Sequence, residues 1–357
     1  MSFSKGPERG ILFKVTVIIV FLFLFLLCLL FGAELFVRFF YRDVLSTADG
    51  TSYFSLKNQR LFEKEKNGFN LRGKQFRQTP DDRYRLVILG DSFTWGQGVY
   101  PVEKRYTEQI DVALNKQQKE NEIEVVNVGI CGFNLPNHYK FLHFIDAIQP
   151  DYVLYQWYIN DMSIRPDAGQ YKSSHLITNR KVHTWLWKHS ALYYLLQRGY
   201  GSLQRKQGEK KTYEQYMFDT QKDPTGESVV AARKLLEKYI DHYKSTDTDF
   251  GMVLFPSFAG PMNNYNLDFL HEQVLDVCKE KKIECLDLRD AYRDVEDNTA
   301  LWANVFDPHP GVLAHKIAAE AIYDFFGADW EEAAQKVSVH RDLHSQKNND
   351  KAQAEMK

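Results

Sequence analysis

The stretch Arg83-Tyr84-Arg85-Leu86-Val87-Ile88-Leu89 runs directly into Gly90-Asp91-Ser92-Phe93-Thr94-Trp95-Gly96. A short run of β-branched and aliphatic residues stopped by a glycine reads as a buried strand ending in a turn. The same unit recurs along the chain: apolar runs at 85–89, 123–128, 151–157, 250–255 and 283–288 alternate with helical patterns near 102–118, 136–148, 227–246, 265–281 and 310–326. Strands that are apolar throughout, separated by amphipathic helices, predict a parallel sheet covered on both faces. The expected fold is a flavodoxin-like, three-layer α/β/α arrangement of about five parallel strands, with ligands at the carboxyl ends of the strands.

Outside this rhythm lie five further regions. Residues 15–33 (VTVIIVFLFLFLLCLLFGA) carry no formal charge, and as a helix they rise about 28 Å, the thickness of a bilayer's hydrocarbon layer. They predict a single-pass anchor in the lipid bilayer behind a flank of residues 1–14. A cleaved signal peptide is disfavoured because Phe31 spoils the small-x-small pattern before Gly32-Ala33. Lys5, Arg9 and Lys14 before the span against Arg38 and Arg42 after it lean toward an extracytoplasmic domain, periplasmic or at the cell surface. Residues 34–82 read as a polar stalk and lead-in, 83–330 as the main domain, about 162–226 as a helical insertion within it, and 331–357 as a loose polar tail. The insertion is read as packing against the core, covering the site or resting on the membrane.

The chain's 45 Lys+Arg against 47 Asp+Glu leave a net charge of −2, which argues against nucleic acid as a partner. Cys28, Cys131, Cys278 and Cys285 form no zinc pattern, and Cys278 and Cys285 are read as buried thiols rather than a bridge. His138 and His143 share a predicted helix but lack a carboxylate partner, so no metal is expected. The run after the first strand does not supply GxGxxG, so no dinucleotide or other organic cofactor is expected either.

Chemistry concentrates at strand ends. Ser92 follows the first strand and either presents its hydroxyl to the cleft or merely caps a helix. Gly132 follows the second strand, where a glycine lets a backbone N–H approach a ligand. Asn160 follows the third and offers an amide donor to developing negative charge. Asp307-Pro308-His309 precedes the last helix, with an imidazole two residues from an acid that can orient it. His315 is read as a packing or capping residue. Cys131 has no matching base and is not read as a nucleophile.

Ser92, Gly132, Asn160 and His309, in that order, resemble the four blocks of the SGNH (GDSL-type) hydrolase superfamily, in its membrane-anchored bacterial form. The resemblance covers roughly 83–161 and 226–328, and RLVILGDSFTWGQGV is its most specific part. It implies a Ser92–His309–Asp307 triad, an oxyanion hole from Ser92, Gly132 and Asn160, and acyl transfer through an acyl-serine. Two departures stand out. Phe93 occupies a position where the family usually has Leu, and the last block is DxH rather than DxxH, as in relatives that handle polysaccharide O-acetyl groups. Trp95, Tyr158 and Trp302 lie beside three blocks and serve either as walls for a sugar ring or as core packing. The expected function is an O-acetyl or acyl esterase acting on an ester substrate such as an acylated saccharide of the cell envelope. An O-acetyltransferase on extracellular polysaccharide, a lipid esterase, and a non-catalytic binding or assembly subunit with unknown envelope partners are the alternatives.

Overall fold

The computed structural model describes residues 7–40, 69, 71–76, 83–116, 123–162, 174–304 and 307–355, with side chains described from 13 to 337. In chain order the elements are α1 (Pro7–Phe40), β1 (Tyr84–Gly90), α2 (Ser92–Trp95), α3 (Tyr106–Asn115), β2 (Ile123–Gly129), α4 (Leu135–Ala147), β3 (Tyr152–Trp157), α5 (Arg180–His189), α6 (Ala191–Lys206), α7 (Tyr213–Gln221), α8 (Glu227–Lys244), β4 (Asp249–Leu254), α9 (Asp268–Lys281), β5 (Glu284–Asp287), α10 (Arg289–Tyr292), β6 (Trp302–Asn304), β7 (Asp307–Pro310) and α11 (Val312–Glu355).

Every residue of β1 is buried, which is why the run lacks an alternating polar face. Its side chains nevertheless alternate between two cores. Tyr84, Leu86 and Ile88 join Tyr106, Ile110, Ile322 and Phe326 on one side. Val87 and Leu89 join Leu142, Ile145, Leu236 and Ile240 on the other. The sheet order is β2-β1-β3-β4-β5, and all four pairings are parallel. The chain leaves β1 toward β2 at one edge and returns to β3 on the other side of β1. The carboxyl end of β1 therefore lies at the switch point where such sheets open a crevice. The fold class expected from the sequence is the one observed.

Three differences have physical causes. Leu71 and Phe76, within the stretch read as stalk, are buried in the main core, and Arg72 is 1% exposed. The last helix does not stop near residue 326: it continues to Glu355, and Trp330 and Ala334 are buried on its inner face, so the start of the expected loose tail belongs to the packed body. Cys278 and Cys285 are joined in a disulfide, with Cα atoms 6.3 Å apart. The turn from α9 into β5 brings the two residues side by side, within normal bridging distance.

Residues 163–173 of the expected insertion lie outside the described residues, as do 41–68 of the expected stalk. The rest of the insertion is α5, α6 and α7. Helix α1 contains an apolar segment, Phe13–Phe40, with a mean hydropathy of 3.2, long enough to cross a membrane or to serve as a signal sequence.

Candidate active site

The turn after β1 is tightly packed around its glycine. A Cβ on Gly90 would sit 2.1 Å from Thr94 Oγ1 and 2.3 Å from Gln156 Oε1. Asp91, not Ser92, is the helix cap: its Oδ1 accepts the Phe93 N–H at 2.9 Å. The capping role weighed for Ser92 thus falls to its neighbour, which leaves the Ser92 hydroxyl for another partner. Gly96, at φ +78°, closes this one-turn helix in the left-handed region. Two buried arginines hold the loop that follows. Arg72 donates to the carbonyls of Gly96 (2.7 Å) and Val99 (2.6 Å), and Arg105 donates to those of Arg72 and Trp95 (3.0 Å each).

Ser92 Oγ lies 3.0 Å from His309 Nε2, and His309 Nδ1 lies 2.5 Å from Asp307 Oδ1. The short DxH spacing works because Asp307 and His309 are two residues apart on strand β7, so both side chains leave the same face. β7 is held by antiparallel pairing with β6. The Gln97 amide donates to Asp307 Oδ2 at 3.0 Å. With Asp307 accepting from both, the network assigns the proton to His309 Nδ1 and the lone pair of Nε2 to the serine hydroxyl. Burial alone would push the His309 imidazole down; the adjacent Asp307 carboxylate outweighs it, and the group is raised. Burial likewise opposes ionisation of Asp307, yet His309 and Gln97 hold its carboxyl far below the usual range. Phe93 packs its ring 5.5 Å from that of His309.

The backbone N–H groups of Ser92 and Gly132 have no protein acceptor among the described residues. Gly132 sits at φ +78°, and a Cβ there would meet nothing within 4 Å, so its loop borders open space. Asn160 stands at the same rim, but both hydrogens of its amide are engaged, one on Asp91 Oδ2 (3.1 Å) and one on the Phe133 carbonyl (2.9 Å). For Asn160 to donate to an oxyanion, one of these bonds must be released. Burial pushes the Asp91 carboxyl up to about 6.

The three aromatics are partly buried and each is tied to protein. Trp95 lies under the Arg72 guanidinium at 4.9 Å. Tyr158 packs 4.3 Å from the Phe93 ring, with its hydroxyl on Ser257. Trp302 donates its indole N–H to the Phe258 carbonyl at 2.6 Å. His315 accepts the Tyr106 N–H at 3.1 Å, so it caps α3. His138 is packed against the rings of Phe133 and Tyr155, and burial lowers it to about 3; it does not converge with the exposed His143.

Sequence reading missed Gln97, Arg72, Arg105 and Arg198. Gln97 lies in the Gly96-Gln97-Gly98 turn, just beyond the stretch whose residues point to chemistry. Arg198, on α6, is close enough for its charge to lower both Asp307 and His309. Its partners are more than 100 residues away, and no local pattern announces it.

No family model matches the chain, and a search of curated proteins returns no match. Among solved structures the chain is similar to Axe2, an acetylxylan esterase from Geobacillus stearothermophilus, at 18% identity over 69% of this chain and 95% of that one, with a TM-score of 0.43. It is similar to LAE5, an alpha/beta hydrolase enzyme from the metagenome of Lake Arreo, Spain, at 18% identity over 68% and 95%, with a TM-score of 0.43. A third is a lipase/acylhydrolase from Enterococcus faecalis, at 14% identity over 69% and 96%, with a TM-score of 0.42. What the site can do chemically follows from its own geometry.

Proposed function

We propose that the protein is a serine esterase of the SGNH type, tethered to a membrane by residues 15–33, with its catalytic domain outside the cytoplasm. The observation that carries the reading is the continuous relay from Ser92 through His309 to Asp307, beside two N–H groups without protein acceptors. His309 Nε2 takes the Ser92 proton as Oγ attacks an ester carbonyl. The carbonyl oxygen, now negative, is held by the N–H groups of Ser92 and Gly132, with Asn160 joining if it releases a partner. Collapse breaks the bond to the alcohol oxygen, which takes the proton from His309 and leaves an acyl-Ser92. Water, deprotonated by His309, then releases the acid and restores the serine. Asp307 keeps the imidazole in the required tautomer and balances its charge during both steps.

The substrate class proposed is an O-acetylated glycan of the cell envelope. It rests on the DxH form of the last block and on the anchor. The Cys278–Cys285 bridge favours an oxidising compartment, consistent with a domain beyond the membrane. The test is to supply an acetylated oligosaccharide to the full chain and to Ser92→Ala. Acetate release by the wild type alone supports the reading. Acetate release by both refutes the serine mechanism. Transfer of the acetyl group to an added oligosaccharide hydroxyl would make the protein a transferase rather than an esterase.

A further inference from the structure

The anchor helix and the inserted helices are fastened together at one level. Glu34 is the first residue after the uncharged run, and its carboxylate accepts from the backbone N–H groups of Ala191 (2.8 Å) and Leu192 (3.0 Å) and from the Ser190 hydroxyl (2.8 Å). Arg38 donates both to Glu34 (2.7 Å) and to the His189 carbonyl (2.8 Å). Val37 packs with Ala191 and Tyr194 in a small apolar cluster of its own. If residues 15–33 cross the hydrocarbon, the corner between α5 and α6 is pinned where α1 leaves it.

Around that corner the chain is basic and apolar. From Ser174 to Lys206 the chain carries Arg180, Lys181, Lys188, Arg198, Arg205 and Lys206 and not one Asp or Glu, although the whole chain is slightly negative. On α6, Leu192, Leu196 and Leu203 recur on one face, opposite the buried Tyr193, Gln197, Gly201 and Gln204. Leu196 and Leu203 are 55% and 49% exposed, and on α5 Trp185 is 60% exposed beside Val182. Apolar and Trp side chains framed by cations are the composition of helices that lie in a headgroup layer. Such a layer supplies anions for Arg180, Lys181, Lys188 and Lys206, and an apolar boundary for the leucines and Trp185.

We propose that α5 and α6 form a foot that rests among anionic phospholipid headgroups and holds the catalytic centre close to the bilayer. The proposal rests on the spanning reading of residues 15–33. Helix α6 links the two ends of the arrangement: Ala191 is bonded to the anchor, while Arg198, about 10 Å farther along the helix, acts on Asp307 and His309. The ester is then taken from substrates presented at or just above the membrane surface.

The test uses the full chain with Cys28→Ser and Cys131→Ser, carrying one added cysteine at a time for an environment-sensitive fluorophore. The sites are Leu196→Cys on the foot, Phe23→Cys in the anchor and Val112→Cys on the exposed side of α3. In nanodiscs of phosphatidylethanolamine with phosphatidylglycerol, quenching by aqueous iodide is expected to be several-fold weaker at 196 and at 23 than at 112. Headgroup spin-labelled lipid is expected to quench at 196 and not at 112. Shielding at 196 should weaken when phosphatidylcholine replaces phosphatidylglycerol; no change would overturn the requirement for anionic headgroups. A shielded 23 with 196 as open as 112 would overturn the foot and leave the anchor standing. An open 23 would overturn the spanning reading itself.

Discussion

Replacing Asp307 with Asn separates charge from shape at the centre of the relay. The side chain keeps its volume and its place on β7, but the His309 imidazolium formed during reaction loses its counter-charge. Two unit charges about 4 Å apart at an effective dielectric near 20 attract by about 4 kcal/mol. That is a factor of about 10³ in rate, and the wrong imidazole tautomer that an amide favours should carry the loss toward the roughly 10⁴ typical when the acid of a Ser-His-Asp triad becomes an amide. The pH dependence must move as well. In the wild type Asp307 holds His309 above its ordinary value, so kcat/KM should rise with pH through an acidic limb above about 6.5 as the imidazole becomes neutral. In Asp307→Asn the burial and Arg198, which both lower His309, lose their main opposition, and the limb should move to lower pH. Initial rates of p-nitrophenyl acetate hydrolysis by the full chain across the neutral range measure both effects. A loss of less than about tenfold (roughly 1.4 kcal/mol), or an acidic limb that stays in place, would refute the role assigned to Asp307.

Three further outcomes follow from the same geometry. Gln97→Ala removes the donor to Asp307 Oδ2 and should cost about 1.5–3 kcal/mol of stability by denaturant unfolding, with kcat falling more than KM changes. Gly90→Ala forces a methyl into contacts of 2.1 and 2.3 Å and should destabilise by about 1–3 kcal/mol; an unchanged unfolding midpoint would mean the turn is looser than described. Asp91 has a native pKa of about 6 against about 3.9 unfolded, so the native state binds the extra proton between these values. Stability should therefore fall as pH rises from about 4 to about 6, by roughly 3 kcal/mol from this group. Asp91→Asn should remove that part of the slope, as unfolding at the two ends of the window would show.

What could be read from the sequence was what is local. β1 is buried on both faces, so its apolar run needed no distant partner to be recognised, and the strand ends carried their polar residues within a few positions. Asp307 and His309 were legible as a pair because two residues along a strand share a face. The unseen parts join positions far apart in the chain. Gln97 meets Asp307 across 210 residues and Glu34 meets Leu192 across 158. Arg72 enters the core from a stretch whose flanks are polar. Cys278 and Cys285 required the geometry of the turn between them, since spacing alone fits a bridge and two thiols equally. Asn160 was placed at the right rim, but its prior engagement with Asp91 and Phe133 depends on loops that come together only in the fold.

The central claim is that Ser92 is a nucleophile activated by His309. A serine-reactive phosphonate, applied to the folded full chain and followed by peptide mass analysis, tests it directly. The account predicts one adduct, on the peptide containing Ser92, that is lost in Ser92→Ala and strongly slowed in His309→Ala. An unlabelled Ser92 in folded protein, or equal labelling without His309, would contradict it.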